Sequence, residues 1–255
     1  MSGITNNPYL ETSRDDLLRI MIAPNAGAHN AIYRGKYLGT SVTAAQYAAI
    51  AAGTFDDLYI GDYWTIGSVN YRIGAFDYFL NSGDTACTDH HVVFVPDTCL
   101  YNAAMSSTNT TAGGYMSTQL NISGLEQAKD IVKNAFGESH LMGRRIYLST
   151  QVTNGIITNG DWFNDSITIM CEQMVYGSSI FSPVSDGNTI PNNCIVEKSQ
   201  LPLFQHEPSL ICNRSTWWLR DVISSADFAY VNFKGISDYG NASTVLGVRP
   251  YFCIK

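Results

Sequence analysis

Charged side chains are scarce in this chain. Asp, Glu, Lys and Arg together make up 15% of its 255 residues, where a soluble domain ordinarily carries about a quarter. The basic residues are scattered, and Arg144-Arg145 is the longest basic cluster. With a formal charge of −7, the chain lacks the dense basic footprint that phosphate backbones require, which argues against a nucleic-acid partner. No apolar run approaches the roughly 20 residues that cross a bilayer, so membrane insertion is not expected. The opening Met1-Ser2-Gly3-Ile4-Thr5-Asn6-Asn7 has no basic stretch leading into an apolar one, so no secretory signal is expected either. Synthesis in a bacterial cytoplasm follows, with any exit by another route such as lysis.

Motifs that carry chemistry are missing too. The six cysteines (Cys87, Cys99, Cys171, Cys194, Cys212, Cys253) form no CxxC and no Cys/His ligand spacing. Cytosolic synthesis favours free, structural thiols over disulfides. There is no GxSxG, P-loop or dinucleotide fingerprint, and Gly113-Gly114 is a flexible turn. His90 and His91 are neighbours in an extended run, so they point to opposite faces and cannot easily share an ion. His29, His140 and His206 stand alone, and Asp56, Asp57, Asp161 and Asp165 lack the spacing of a calcium loop. The expectation is a protein with no cofactor, no metal and no catalytic residues.

Neutral polar residues and aromatics are what the chain has in quantity. Hydrophobic residues at 45% suffice for a sizeable core. A surface of Ser, Thr, Asn, Gly and Tyr is common on extracellular and virion proteins. Residues 1–32 read as an arm for assembly or attachment. In it, Ser13-Arg14-Asp15-Asp16 starts a short helix that Pro24, Gly27 and the following Ala-His-Asn-Ala run break. Residues 33–255 form the globular part. Thr43-Ala44-Ala45-Gln46 is a capping box that starts a helix over 43–52, ended by Gly53. Residues 62–66 and 69–73 alternate around Gly67-Ser68 as a hairpin, and 91–95 is a strand ended by Pro96. Ser123 and Glu126 cap a helix over 124–136 that Gly137 stops. Arg145–Ser149 is extended. A third helix, capped by Asp165 or Ser166, runs through Met170, Cys171, Met174 and Val175 to Gly177. Loops and short strands fill 178–216, and strands close the chain near 217–221, 228–233 and 247–254. The order gives α+β with an antiparallel sheet.

The last forty residues carry the functional signal. Trp217-Trp218-Leu219-Arg220-Asp221 and Gly247-Val248-Arg249-Pro250 bracket a middle rich in Ser, Asn, Asp, Tyr and Gly, the composition of adaptable binding loops. Alternation on a strand predicts one of Trp217 and Trp218 buried and the other exposed. Arg220, Asp221 and Arg249 read as a structural set that pins the closing strands.

Several phrases together resemble a protein family of gut Firmicutes and their phages: Phe55-Asp56-Asp57-Leu58-Tyr59-Ile60-Gly61-Asp62-Tyr63-Trp64, Asn70-Tyr71-Arg72-Ile73, Lys198-Ser199-Gln200-Leu201-Pro202-Leu203-Phe204, Trp218-Leu219-Arg220-Asp221 and Gly247-Val248-Arg249-Pro250. The closing Trp…Arg-Asp…Gly-Val-Arg-Pro arrangement also resembles C-type lectin-like domains of the formylglycine-generating-enzyme type, the scaffold of the variable proteins of diversity-generating retroelements. That resemblance implies a C-type lectin-like fold, with short helices around a small antiparallel sheet and a ligand-binding segment over 210–255. The calcium-dependent sugar triplets of true C-type lectins are missing, Glu207-Pro208-Ser209 and Trp162-Phe163-Asn164-Asp165 being near misses. No catalytic cysteine pair matches, so a sulfatase-modifying-type oxidase or a hydrolase on this fold is the minor alternative. Adenine-directed diversification favours Asn codons and their products. Ser224, Ser225, Asp227, Asn232, Phe233, Ser237, Asp238, Tyr239, Asn241 and Thr244 fit that set; Trp218 and Lys234 do not. With Trp217, these ten residues are the candidate ligand contacts.

The expected function is a phage or prophage receptor-binding or virion-surface protein. It would bind a host-surface protein or glycan through 217–246, as a homo-oligomer in contact with other virion subunits. The alternative is a fixed head or tail decoration protein without diversified binding.

Overall fold

Gly67, at φ +63°, turns the chain between two runs of aromatic and β-branched residues. They form a hairpin of β1 (Tyr63–Ile66) and β2 (Val69–Phe76), in register from Tyr63↔Arg72 to Ile66↔Val69. The computed structural model describes residues 26–153, 156–183 and 199–255. In it β2 pairs with β3 (Val92–Pro96), in which every residue is buried. The last strand of the chain, β12 (Pro250–Ile254), lies beside β3, and β7 (Ile167–Ile169) beside β12. The first sheet is therefore ordered β1-β2-β3-β12-β7. A second sheet comprises β4 (Tyr101–Ala104), β8 (Trp217–Val222), β9 (Asp227–Val231), β10 (Ser237–Asn241) and β11 (Val245–Val248), in the order β10-β9-β8-β11-β4. Pairing is antiparallel except where β11 meets β8 at Gly247↔Trp217. Strands β5 (Arg144–Thr153) and β6 (Ile156–Asp165) form a separate two-stranded hairpin.

Among the described residues, five short helices complete an α+β fold: α1 (Ala26–Asn30), α2 (Ala44–Ala51), α3 (Glu126–Phe136), α4 (Glu172–Tyr176) and α5 (Pro202–His206). None of the described helices is long and apolar enough to cross a membrane. Helix α2 has the expected box, with Thr43 Oγ1 accepting the Gln46 amide and Gln46 Oε1 accepting the Thr43 amide. Helix α3 buries Ala128, Val132 and Phe136 and stops at Gly137 (φ +82°) as expected. Its start differs: the chain enters through a π-helical turn over Leu120–Gly124, and Ser123 Oγ donates back to Gln119 O instead of capping Glu126.

Only the second half of the expected third helix forms, and its first turn is a strand. Ile167-Thr168-Ile169 is β-branched throughout and finds a partner in β12, so only Glu172–Tyr176 coils before Gly177 (φ +81°). Of the Ala-His-Asn-Ala stretch expected to break a helix, Ala28, His29 and Asn30 lie in α1 and Ala31 in the turn after it. His29 is buried among Phe55, Tyr59 and Phe76, with Nδ1 2.7 Å from Leu58 O. The helix expected from Ser13 lies outside the described residues, as does Cys194. In place of the short strands expected between 178 and 216, the described part holds α5 and a 3₁₀ turn over Pro208–Ile211.

Two hydrophobic cores flank the second sheet. Trp217, Leu219, Ala229 and Val231 join the larger one, beneath the first sheet. Trp218, Val222 and Phe228 join the smaller one, with Leu120, Leu125 and Ile146. Both faces of β8 are therefore covered, and both tryptophans are fully buried. The expected exposed partner of the pair does not exist. Between β11 and β12 the chain passes from one sheet to the other through Arg249. Its buried guanidinium donates to Pro96 O (2.8 Å) and Leu210 O (3.0 Å) and lies 5.0 Å over the Trp217 ring.

Candidate functional site

The closing segment builds two separate ends. Between β9 and β10, Asn232 shapes the turn: its Oδ1 accepts the amides of Lys234 (2.9 Å) and Ile236 (3.2 Å), and Gly235 takes φ +82°. This lifts Phe233 and Ile236 into solvent at 57% and 58% exposure, with the Lys234 amine 5.5 Å from the Phe233 ring. At the far end, Ser224 Oγ accepts the amides of Ala226 and Asp227 and donates to Asp227 Oδ2 (2.7 Å). Thr111 ties that turn down by donating to the carbonyls of Ser224 and Ser225. Ser225, Asn241 and Thr244 are exposed around it. Strand β9 has five residues, which at about 3.3 Å each puts the two ends roughly 16 Å apart.

The expected contact residues thus divide. Phe233, Tyr239, Ser225, Asn241 and Thr244 are exposed, and Asp238 is half-buried on the opposite face of β10 from Tyr239. Ser224, Asp227 and Asn232 hold turns together. Two residues must be withdrawn as contacts: Trp217 is sealed in the core because β8 is covered on both faces, and Ser237 is buried with its hydroxyl given to Glu172.

Glu172, unremarked in the sequence, organises the flank of the hairpin. Its carboxylate is fully buried at the start of α4. Oε2 accepts the amides of Ile180 (3.0 Å) and Ser182 (2.9 Å) and the Ser182 hydroxyl (2.7 Å), and Oε1 accepts the Ser237 hydroxyl (2.6 Å). The Phe181 amide reaches both oxygens at 3.2 Å. Three successive N–H groups aimed at one anion form a nest. Turning those amides inward turns the apolar side chains outward. Ile180 and Phe181 are 49% and 41% exposed, and the Phe181 ring packs edge-on against Tyr239 with centroids 5.1 Å apart. One signal in the sequence pointed here: Ile180-Phe181 is an apolar pair set among Gly177, Ser178, Ser179 and Ser182.

The electrostatics of this corner are asymmetric. Burial opposes ionisation of Glu172, but the hydroxyl and amide donors win and hold its carboxyl below the usual range. Asp221, half-buried, accepts the Glu172 amide at 2.7 Å. Burial, and then the charge of Glu172, push its carboxyl up to about 7. The charge of Arg220 opposes this rise, while its Nη1 donates to the Tyr251 hydroxyl at 3.0 Å.

The adjacent histidines differ in burial, although the Asp77 carboxylate lies within 4 Å of Nδ1 of both. His91 is buried, with Nε2 accepting the Phe79 amide, and desolvation pushes it down to about 4, so it is neutral. His90 faces outward, with Nδ1 2.7 Å from Asp77 Oδ2. Among the described residues no group of three or more His, Cys, Asp or Glu side chains is arranged to hold a metal ion. No protein-family model, curated protein or solved structure matches this chain.

Proposed function

We propose that this protein binds a host-surface or extracellular ligand, as a receptor-binding or virion-surface protein of a phage or prophage with a C-type lectin-like fold. One observation carries the reading. Of the ten exposed large hydrophobic residues among those described, Ile180, Phe181, Phe233, Ile236 and Tyr239 come from two short segments tied together by Glu172. Scattered surface hydrophobics need no explanation, but five on two segments joined through one buried carboxylate, with Phe181 packed on Tyr239, do. Aromatic and aliphatic anchors on a rigid sheet supply affinity at low entropic cost, and Ser225, Asn241 and Thr244 add hydrogen bonding at the other end. Weak binding at each site is raised by avidity in a homo-oligomer.

The test is binding of the purified protein to host cells. Phe181→Ala, Tyr239→Ala and Phe233→Ala should each weaken adhesion severalfold while leaving the fold intact. Unchanged adhesion in all three correctly folded variants would sink the proposal.

A second reading, a fixed structural protein of the virion, is favoured by the turn hydrogen bonds of Ser224, Asp227 and Asn232 and by the burial of Ser237. Random substitution at these four would unmake the hairpin. Diversification, if it operates, should fall on Ser225, Phe233, Asp238, Tyr239, Asn241 and Thr244 and spare those four. An alignment of closely related genomes over 210–255 decides: invariance at all ten positions favours the fixed protein, and a neighbouring reverse transcriptase gene with a near-copy of this stretch favours the variable one.

A further inference from the structure

Away from the closing hairpin, a cleft of about 540 Å³ opens between the base of the β5–β6 hairpin, helix α3 and the loop 85–89. That volume lies within the roughly 300–1,000 Å³ of small-molecule sites. The floor is the ion pair of Arg144 and Asp165 (Nη2–Oδ2 2.9 Å), with side chains 1% and 10% exposed. Arg144 is fixed further by donating to the Tyr251 hydroxyl (2.6 Å) and by lying 4.2 Å over the Phe79 ring. A pair held this way stays paired, and it neutralises the one carboxylate at the bottom.

Lys129 and Arg145 line the same cleft, with Asn121 and Asn164. Both cations have partners outside the lining, on exposed carboxylates: Lys129 meets Glu126 at 2.7 Å and Arg145 meets Asp84 at 2.9 Å. Such surface pairs contribute little and exchange readily. Hydrogen bonds engage one of the three Lys129 N–H groups and three of the five on Arg145, so each retains donors for a ligand. The remaining carboxylate of the lining, Asp89, is engaged by Lys255 at 2.6 Å. In a chain of 22 acidic and 15 basic residues, the cleft and its immediate ion-pair partners hold four cations against four carboxylates, a local balance that the rest of the chain lacks. Cys87, also in the lining, has its thiol pushed up by burial, which favours the protonated form over the thiolate.

We propose that this cleft binds a small molecule carrying a phosphate or carboxylate group, gripped by Lys129 and Arg145 above the Arg144–Asp165 floor. Charge-assisted bonds from these two would fix the anion, and Asn121 and Asn164 would orient the rest.

The experiment is an amide NMR titration of the whole protein at low ionic strength, with inorganic phosphate in one arm and citrate in the other. The expected result is saturable shifts at Ala86–Asp89, Asn121 and Asn164 with at least one probe, and the probe that saturates names the head group. Lys129→Gln and Arg145→Gln should each weaken that binding by about tenfold. Lys133→Gln, on the same helix but outside the lining and paired with Glu138, should leave it unchanged. Thermal melts report whether the variants fold, and the wild-type shift map stands without them. Absence of saturation with both probes overturns the proposal, as does a shift pattern spread over the surface that weakens equally in Lys133→Gln.

Discussion

Replacing Glu172 with alanine removes the acceptor for three amides and two hydroxyls in one step. A hydrogen bond to a charged group contributes about 1.5–3 kcal/mol singly, but the five do not add. The Ser182 and Ser237 hydroxyls can rotate to new partners, and the 178–183 loop can swing out so that its amides meet water. The cost is therefore set by opening the loop, about 2–4 kcal/mol, similar to breaking a buried charge network. Glu172→Gln should cost far less, about 1 kcal/mol. With its carbonyl in the Oε2 position, glutamine keeps the Ile180 and Ser182 amides, and the Ser237 hydroxyl can reverse to accept from the new amide. Urea unfolding measures the stability, and native-state hydrogen exchange of residues 178–183 measures the loop. Alanine should abolish protection of the 180–182 amides while core strands such as β3 stay protected. Because the folded carboxyl lies below its usual value of 4.5, this contribution is present above that value and fades as pH falls through the lowered one. A cost below about 1 kcal/mol for alanine, or equal behaviour of alanine and glutamine, would refute the account of Glu172 as an anion around which the loop is folded.

Three further outcomes follow from the same geometry. Asp221, raised to about 7 from 3.8, binds a proton in the folded state over a range where the unfolded chain has lost it. Stability should therefore fall as pH rises from about 4 to 7, and Asp221→Asn should flatten that slope in denaturant titrations across pH. Arg249→Lys keeps the charge but loses the planar fork that reaches Pro96 O and Leu210 O and stacks on Trp217; thermal or urea unfolding should show a loss of about 2–4 kcal/mol. Gly247→Ala puts a methyl 2.4 Å from Cys99 Sγ and 3.0 Å from Thr216 O, costing about 1–3 kcal/mol, and Cys99→Ala in the same chain should restore part of it.

What could be read from the sequence was local. The Thr43–Gln46 box, the Gly67-Ser68 turn and the stop at Gly137 depend on residues a few positions apart, and each is found where its chemistry placed it. Misreadings came where the deciding partner was distant. Ile167–Ile169 has an apolar content that suits a helix as well as a strand, and only β12, some eighty residues later, makes it extended. Ser123 has the spacing of a cap for Glu126, yet Leu120 and Leu125, both buried in the smaller core, bend the chain into a π turn first. Alternation along β8 correctly separated Trp217 from Trp218, but alternation does not say how many faces of a sheet are covered.

The candidate surface divides along the same line. Composition alone marked the stretch between Trp217 and Leu246 as unlike the rest, but it could not separate the exposed Phe233 and Tyr239 from the buried Trp217 and Ser237. The tertiary structure decided that Ser237 faces inward, that Ile180 and Phe181 belong beside Tyr239, and that one buried carboxylate joins them. Short-range steric and hydrogen-bonding rules act between neighbours in the chain and are written there. Burial is a property of the assembled layers, and a carboxylate that gathers donors from residues 180–182 and 237 gains its role only when folding brings them within reach.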